Sequence, residues 1–190
     1  MYTNPHNLIL SLVSLLQRNS QQIDQIIRHY QPRQHLTVLE GMRPTLPVDM
    51  YPSFEIEPAP ATNEWATTRS QRPRYTFTCT LTVKVSNIKF GVEYIATLAT
   101  QLGSLMTSPE NLQMRVLNET RWDPNGGLVD AYILDSLVDN LSYAATKDGT
   151  VRTAEFSWFV VMHEPFPESK WVIGDFTMPS ILKPVVITPA

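Results

Sequence analysis

Residues 75–85 read YTFTCTLTVKV, and their alternation decides the fold class. Tyr75, Phe77, Cys79, Leu81, Val83 and Val85 take the odd positions, while Thr76, Thr78, Thr80, Thr82 and Lys84 take the even ones. A period of two puts each set on its own face of an extended strand, whereas a helix would scatter both around a cylinder. The segment is therefore a half-buried strand whose apolar face needs a cover. Threonine, being β-branched, suits the open pleated face.

The cover follows directly in the chain. In residues 90–106, Phe90, Tyr94, Leu98, Leu102, Leu105 and Met106 recur at spacings of three and four, and Pro109 closes the segment. That spacing predicts an amphipathic helix folding back over the strand. Upstream, residues 7–30 carry a second helical pattern (Leu8, Ile9, Leu12, Val13, Leu15, Leu16, then Ile23, Ile26, Ile27 and Tyr30) with a break at Asn19-Ser20, and Pro32 ends it. Residues 36–39 and 54–57 read as short strands between prolines. Residues 59–74 are too polar to bury and predict a long exposed loop or a projecting hairpin. Residues 113–118 suggest one more short strand, and Asp123-Pro124-Asn125-Gly126-Gly127 a turn.

Further on, residues 133–145 and 151–162 flank Lys147-Asp148-Gly149-Thr150, an Asp-Gly signal for a β-hairpin. Ala154, Phe156, Trp158, Val160 and Met162 share one face of the return strand, whose far end is apolar on both faces, as in a strand covered twice. Residues 164–190 hold five prolines among Trp171, Ile173, Phe176 and Ile181, which predicts an extended arm lying on a surface. The expected fold class is α+β: a mixed or antiparallel sheet with helices packed on one face, plus the C-terminal arm. A length of 190 residues fits one such domain over 1–163, with loop 59–74 projecting and arm 164–190 appended.

The net charge of −3 argues against a dedicated nucleic-acid binder. Its distribution is uneven. Residues 1–43 hold four arginines against one aspartate and one glutamate, whereas residues 110–148 hold seven acids against three bases, a contrast that suits head-to-tail association. A single cysteine, Cys79, excludes an internal disulfide and fits a reducing compartment. The N-terminal residues show no secretory pattern and no apolar run is long enough for a membrane span, so a soluble protein is expected.

Candidate chemistry is sparse. Alternation buries Cys79 between Phe77 and Leu81, where a thiol is inert. His6, His29, His35 and His163 have no metal-ligand spacing and suit surface or capping roles. Asp135 and Asp139, like Glu55 and Glu57, sit at strand spacing as solubilising charge rather than as an acid–base pair. Gly126-Gly127 lacks the context of a phosphate loop. No catalytic, metal or cofactor-binding residue is expected. Arg69, Arg72 and Arg74, beside Trp65 and Tyr75, could grip a nucleic-acid backbone, but a basic loop meeting an acidic surface of another copy or partner is the simpler reading. The candidate interface residues are Trp65, Arg69, Arg72 and Arg74 in the loop, with Trp171 and Phe176 in the arm.

In order of elements the chain resembles the tail terminator and neck (head-to-tail joining) proteins of tailed bacteriophages. The resemblance rests on the helical segment ending near Tyr30, on Tyr51-Pro52-Ser53-Phe54-Glu55-Ile56-Glu57, on the 75–85 strand leading into the 90–106 helix, and on the closing hairpin with Lys147-Asp148-Gly149. It covers the first 163 residues. It implies a non-enzymatic structural component of the virion, assembled in the host cytoplasm. Such a protein would form a homohexameric ring that ends the tail tube and joins it to the neck or connector, with sheath contacts where a sheath exists. DNA would pass through the lumen without sequence-specific binding, and no membrane or cofactor is involved. Loop 59–74 and arm 164–190 depart from the compact family pattern and would be natural partner contacts, so the domain is expected to fold without residues 164–190. Two alternatives stay open: another neck, tail completion, connector or baseplate component, and a small ligand-binding or enzymatic α+β domain, which would show a cleft with converging polar side chains.

Overall fold

The computed structural model describes residues 5–41, 47, 50–66, 70–86, 88–107, 132–165 and 185–188. Its elements run α1 (Pro5–Arg18), α2 (Ser20–Tyr30), β1 (Leu36–Glu40), β2 (Ser53–Pro58), β3 (Thr62–Ala66), β4 (Ser70–Lys84), α3 (Ile88–Met106), β5 (Tyr132–Ala145), β6 (Val151–Pro165) and β7 (Val185–Ile187). The strands form one sheet in the order β5-β6-β4-β2-β1-β7, and β3 pairs with β4 beside that path. β1 and β2 run parallel and the other pairs antiparallel, so the sheet is mixed and the fold is α+β, as expected.

β4 is the spine of the sheet. Along one edge it pairs with β6 from Ser70↔Pro165 to Lys84↔Val151. Along the other it pairs with β2 through residues 77–82 and with β3 through residues 71–74. The odd residues from Tyr75 to Val85 are all buried, and directly paired strands add Phe54, Ile56, Phe156, Trp158 and Val160 to the same face. Phe77 meets Trp158 at 4.7 Å between ring centroids, and Phe54 meets Phe156 at 5.9 Å. The helices cover this face: α1 rests on β2 and β7, α2 on β1, and α3 on β4, β5 and β6.

The break in the N-terminal helical pattern has a local cause. The Asn19 amide N–H and its side-chain Nδ2 donate to the last carbonyls of α1, and its own carbonyl accepts from Gln22 and Ile23 at the start of α2. One residue thus caps both helices at the joint. At α3 the buried stripe is Gly91, Tyr94, Ile95, Leu98, Ala99, Leu102 and Met106. Phe90, expected on that stripe, is 55% exposed. Gly91 explains the change of phase: a Cβ there would lie 2.7 Å from Arg152 Nε and 2.8 Å from Val85 Cγ2, so the helix seats its bare backbone against the sheet and turns Phe90 outward.

Of the two readings of residues 59–74, the hairpin is the one found, since β3 pairs antiparallel with the first third of β4; its β4 side is less exposed than expected, with Gln71 and Pro73 buried because the inward alternation of β4 starts four residues before Tyr75. Three further expectations change. The boundary at residue 164 falls inside β6, whose Glu164 is fully buried and accepts hydrogen bonds from Gln71 Nε2 and Tyr75 Oη, both 2.9 Å. Part of the expected arm is also core. β7 pairs antiparallel with β1, and its Ile187 is 1% exposed, which speaks against a domain that folds independently of residues 164–190. Finally, among the described residues no helix covers the outer face of β6, where Phe159 is half-buried with the Arg74 guanidinium 4.2 Å above its ring centroid. The expected strand over 113–118 and turn over 123–127 lie outside the described residues.

Candidate functional site

Among the described residues no cluster of three or more histidine, cysteine or acidic side chains could hold a metal ion. Cys79 lies in the core, where burial pushes its thiol far above the usual range. His6 and His35 prove to be ties between layers. His6 Nδ1 lies 2.9 Å from Glu40 Oε2, joining the start of α1 to the end of β1. His35 Nδ1 lies 3.0 Å from Asp24 Oδ1, while Arg28 Nη2 lies 3.1 Å from the other oxygen of the same buried carboxylate.

The candidate interface residues separate. Trp65 in β3 stands opposite Arg72 in the strand register, and Arg72 is exposed. Arg74 is engaged within the chain, over Phe159 and 3.7 Å from Glu64 Oε1. Trp65, Arg72 and Arg74 therefore share one hairpin. Arg69, Trp171 and Phe176 lie outside the described residues.

Two surfaces escaped the sequence reading. The first is β5, outermost on its side among the described strands, where Leu137 is 49%, Leu141 45% and Tyr143 52% exposed. Its ladder with β6 shifts register between Ile133 and Asp135 and again between Asp139 and Ser142. At each bulge an aspartate side chain accepts the next backbone N–H, Asp135 from Ser136 and Asp139 from Asn140, both at 2.8 Å, and Asn140 has a positive φ of 59°. The apolar doublets Ile133-Leu134 and Leu137-Val138 held the signal: in an alternating strand, one member of each must face outward. Inward, Trp158 Nε1 donates to Ser136 Oγ at 2.9 Å, and that hydroxyl donates to the Met106 carbonyl, which fixes β5 to the end of α3.

The second surface is a groove of about 490 Å³ between α2 and α3, lined by Gln22, Gln25, Ile26, His29, Tyr30, Thr97 and Gln101. Its floor is aromatic and its rim amide. Tyr30 stacks on Tyr94 at 4.7 Å, His29 stands edge-on to Tyr30, and Gln101 Nε2 donates to Gln22 Oε1 at 3.1 Å. Desolvation, and then the negative charge of Glu93, hold the Tyr30 hydroxyl above its ordinary pKa. The described lining offers aromatic, aliphatic, hydroxyl and amide groups, with the Glu93 carboxylate hydrogen-bonded to Tyr30 beside it.

No protein-family model and no curated protein matches the chain. Among solved structures it is similar to a chain of the virion of a native gene transfer agent particle, with a TM-score of 0.46 and 6% identity, covering 80% of this chain and 91% of that one. No helix among the described residues is long and apolar enough to cross a membrane.

Proposed function

We propose that this chain is a structural protein of a tailed, phage-like virion: a tail terminator that caps the tube as an oligomeric ring and joins it to the neck. The observation that carries the reading is the arrangement of the elements on which the family resemblance rests. The helical pair, the β2 segment, the long β4 leading into α3 and the closing hairpin combine into one sheet with its helices on one face and unlike surfaces at its two ends. A ring subunit needs two different surfaces, one for each neighbour. In this reading the chain is not an enzyme, and its partners are further copies of itself, the tube protein and the neck. The β3–β4 hairpin, with Arg72 exposed, is the element offered to those partners.

The test is native mass spectrometry of the purified chain, followed by negative-stain electron microscopy with and without tail tubes. Rings in solution, or rings that form at tube ends, are the expected result. A chain that stays monomeric and ignores both tubes and connectors would sink the reading.

A further inference from the structure

We infer that residues 108–131 of one copy dock into an apolar notch with a cationic rim at the opposite end of the next copy. The inference rests on the ring reading above and names its contact. The notch follows from the slant of α3 across the sheet. The helix starts with Gly91 seated on Val85 and Arg152, at the end of β4 and the start of β6. Near its other end a Cβ on Gly103 would lie 3.8 Å from Val138 of β5, and the Met106 carbonyl accepts from Ser136. The hairpin end of β5 is therefore left uncovered among the described residues, and residues 139–148 are all exposed. Tyr143 stands opposite the buried Ala154 and so lies on the core face of the sheet, yet it is 52% exposed. Val92, three helical turns before Gly103, shares the side of α3 that faces β5, and Ile88 lies one turn further back. Ile88, Val92 and Tyr143, each about half exposed, are the apolar walls.

The rim is cationic. All three lysines among the described residues lie at this end of the sheet, Lys84 ending β4, Lys89 in the first turn of α3 and Lys147 in the hairpin turn. Arg152 Nη2 joins them, donating to the Ile88 carbonyl at 3.4 Å. Of the acids nearby, Asp148 is held by Thr146 and Thr150, and Glu93 lies on the Tyr30 side of the helix. Such a notch suits an apolar segment of negative charge. Residues 108–131 hold Glu110, Glu119, Asp123 and Asp130 against Arg115 and Arg121, with Leu117, Trp122 and Leu128 among their apolar side chains. They leave the helix after Thr107 and rejoin the sheet at Tyr132, which pairs with His163 at the end away from the hairpin turn. Reaching its own notch would take the segment about 20 Å back along α3 and about 36 Å home along β5. Its full extension is only about 80 Å. A neighbour placed head to tail brings its notch to the segment without that journey, in the unlike-surface contact that a ring needs.

The probe is a fluorescein-labelled synthetic peptide of residues 108–131, titrated into the full chain at concentrations below those at which it assembles. Fluorescence anisotropy should show binding that weakens as salt is raised and falls at least tenfold for a scrambled peptide. Val92→Glu, at an exposed position of the notch wall, and Lys89→Glu/Lys147→Glu on the rim should each weaken it at least tenfold as well, with circular dichroism checking that both variants stay folded. In sedimentation velocity, Val92→Glu should be monomeric where the natural chain assembles, and excess unlabelled peptide should dissociate the natural assembly. If the natural chain forms rings but does not bind the peptide, binds the scrambled peptide equally, or assembles no better than Val92→Glu, the contact lies elsewhere and the inference falls while the ring reading stands. A natural chain that stays monomeric, alone and with tubes, removes both.

Discussion

Glu164 shows how much a single side chain can decide. Its carboxyl group lies where the hairpin end of β4 meets the end of β6, fully buried, and accepts from Gln71 and Tyr75. A buried acceptor with two donors is costly to lose because the donors are left behind without it. Tyr75→Phe is expected to cost about 1–2 kcal/mol and Glu164→Leu about 3 kcal/mol. In urea melts, Tyr75→Phe should cost less when made on top of Glu164→Leu, with a coupling on the order of 1 kcal/mol. Strict additivity would mean that the tyrosine hydroxyl gains nothing from the carboxylate. Asp148 makes a second prediction. Hydrogen bonds from the Thr146 and Thr150 hydroxyls and the Thr150 amide hold its carboxyl below the ordinary range. Because the folded pKa is depressed, the turn gains its support above the unfolded carboxyl pKa and loses it as pH falls through the lower, folded one. An NMR titration should therefore show the Thr150 amide shifting only below the usual aspartate range, and Asp148→Asn should abolish that step.

Elements with a clear period were legible in the sequence, and elements specified by distant pairing were not. The alternation of β4 and of the return strand, and the Asp-Gly turn with Gly149 at φ +67°, specify their own geometry from within. The break at Asn19 was equally local. Phe90 and Gly91, by contrast, sit side by side at the start of a helix, and the close approach of Arg152 and Val85 decides which of them faces the core. Glu164 reads as the first residue of the arm until Gln71 and Tyr75 are brought beside it. Trp65, Arg72 and Arg74 were legible as a cluster, and the hairpin that holds them only as one of two readings, since polar residues 62–66 show no pattern until they pair with β4. β7 has only three residues in a proline-rich setting and is recognisable solely through Leu36 and Val38 opposite it. It gives the prediction at this scale: deleting residues 185–190 removes Ile187 from the core and should cost about 2 kcal/mol or more in urea unfolding. An unchanged melt would mean that β7 adds nothing to the sheet in solution.

At the scale of the molecule, the sheet is built from one long antiparallel spine flanked by unlike margins. Among the described strands, three residues of β7 flank a parallel pair near α1 on one side, and the fourteen residues of β5 stand outermost on the other. Of the charges read from the sequence, Asp24 and Glu40 are paired within the chain, whereas Asp135 and Asp139 are exposed. The two register shifts of β5 have a further bearing. A fourteen-residue outer strand left straight would be a template on which other chains could stack into cross-β fibrils. The shifts, beside which Asp135 and Asp139 accept the next backbone N–H, interrupt that template and make the strand a poor seed for such stacking.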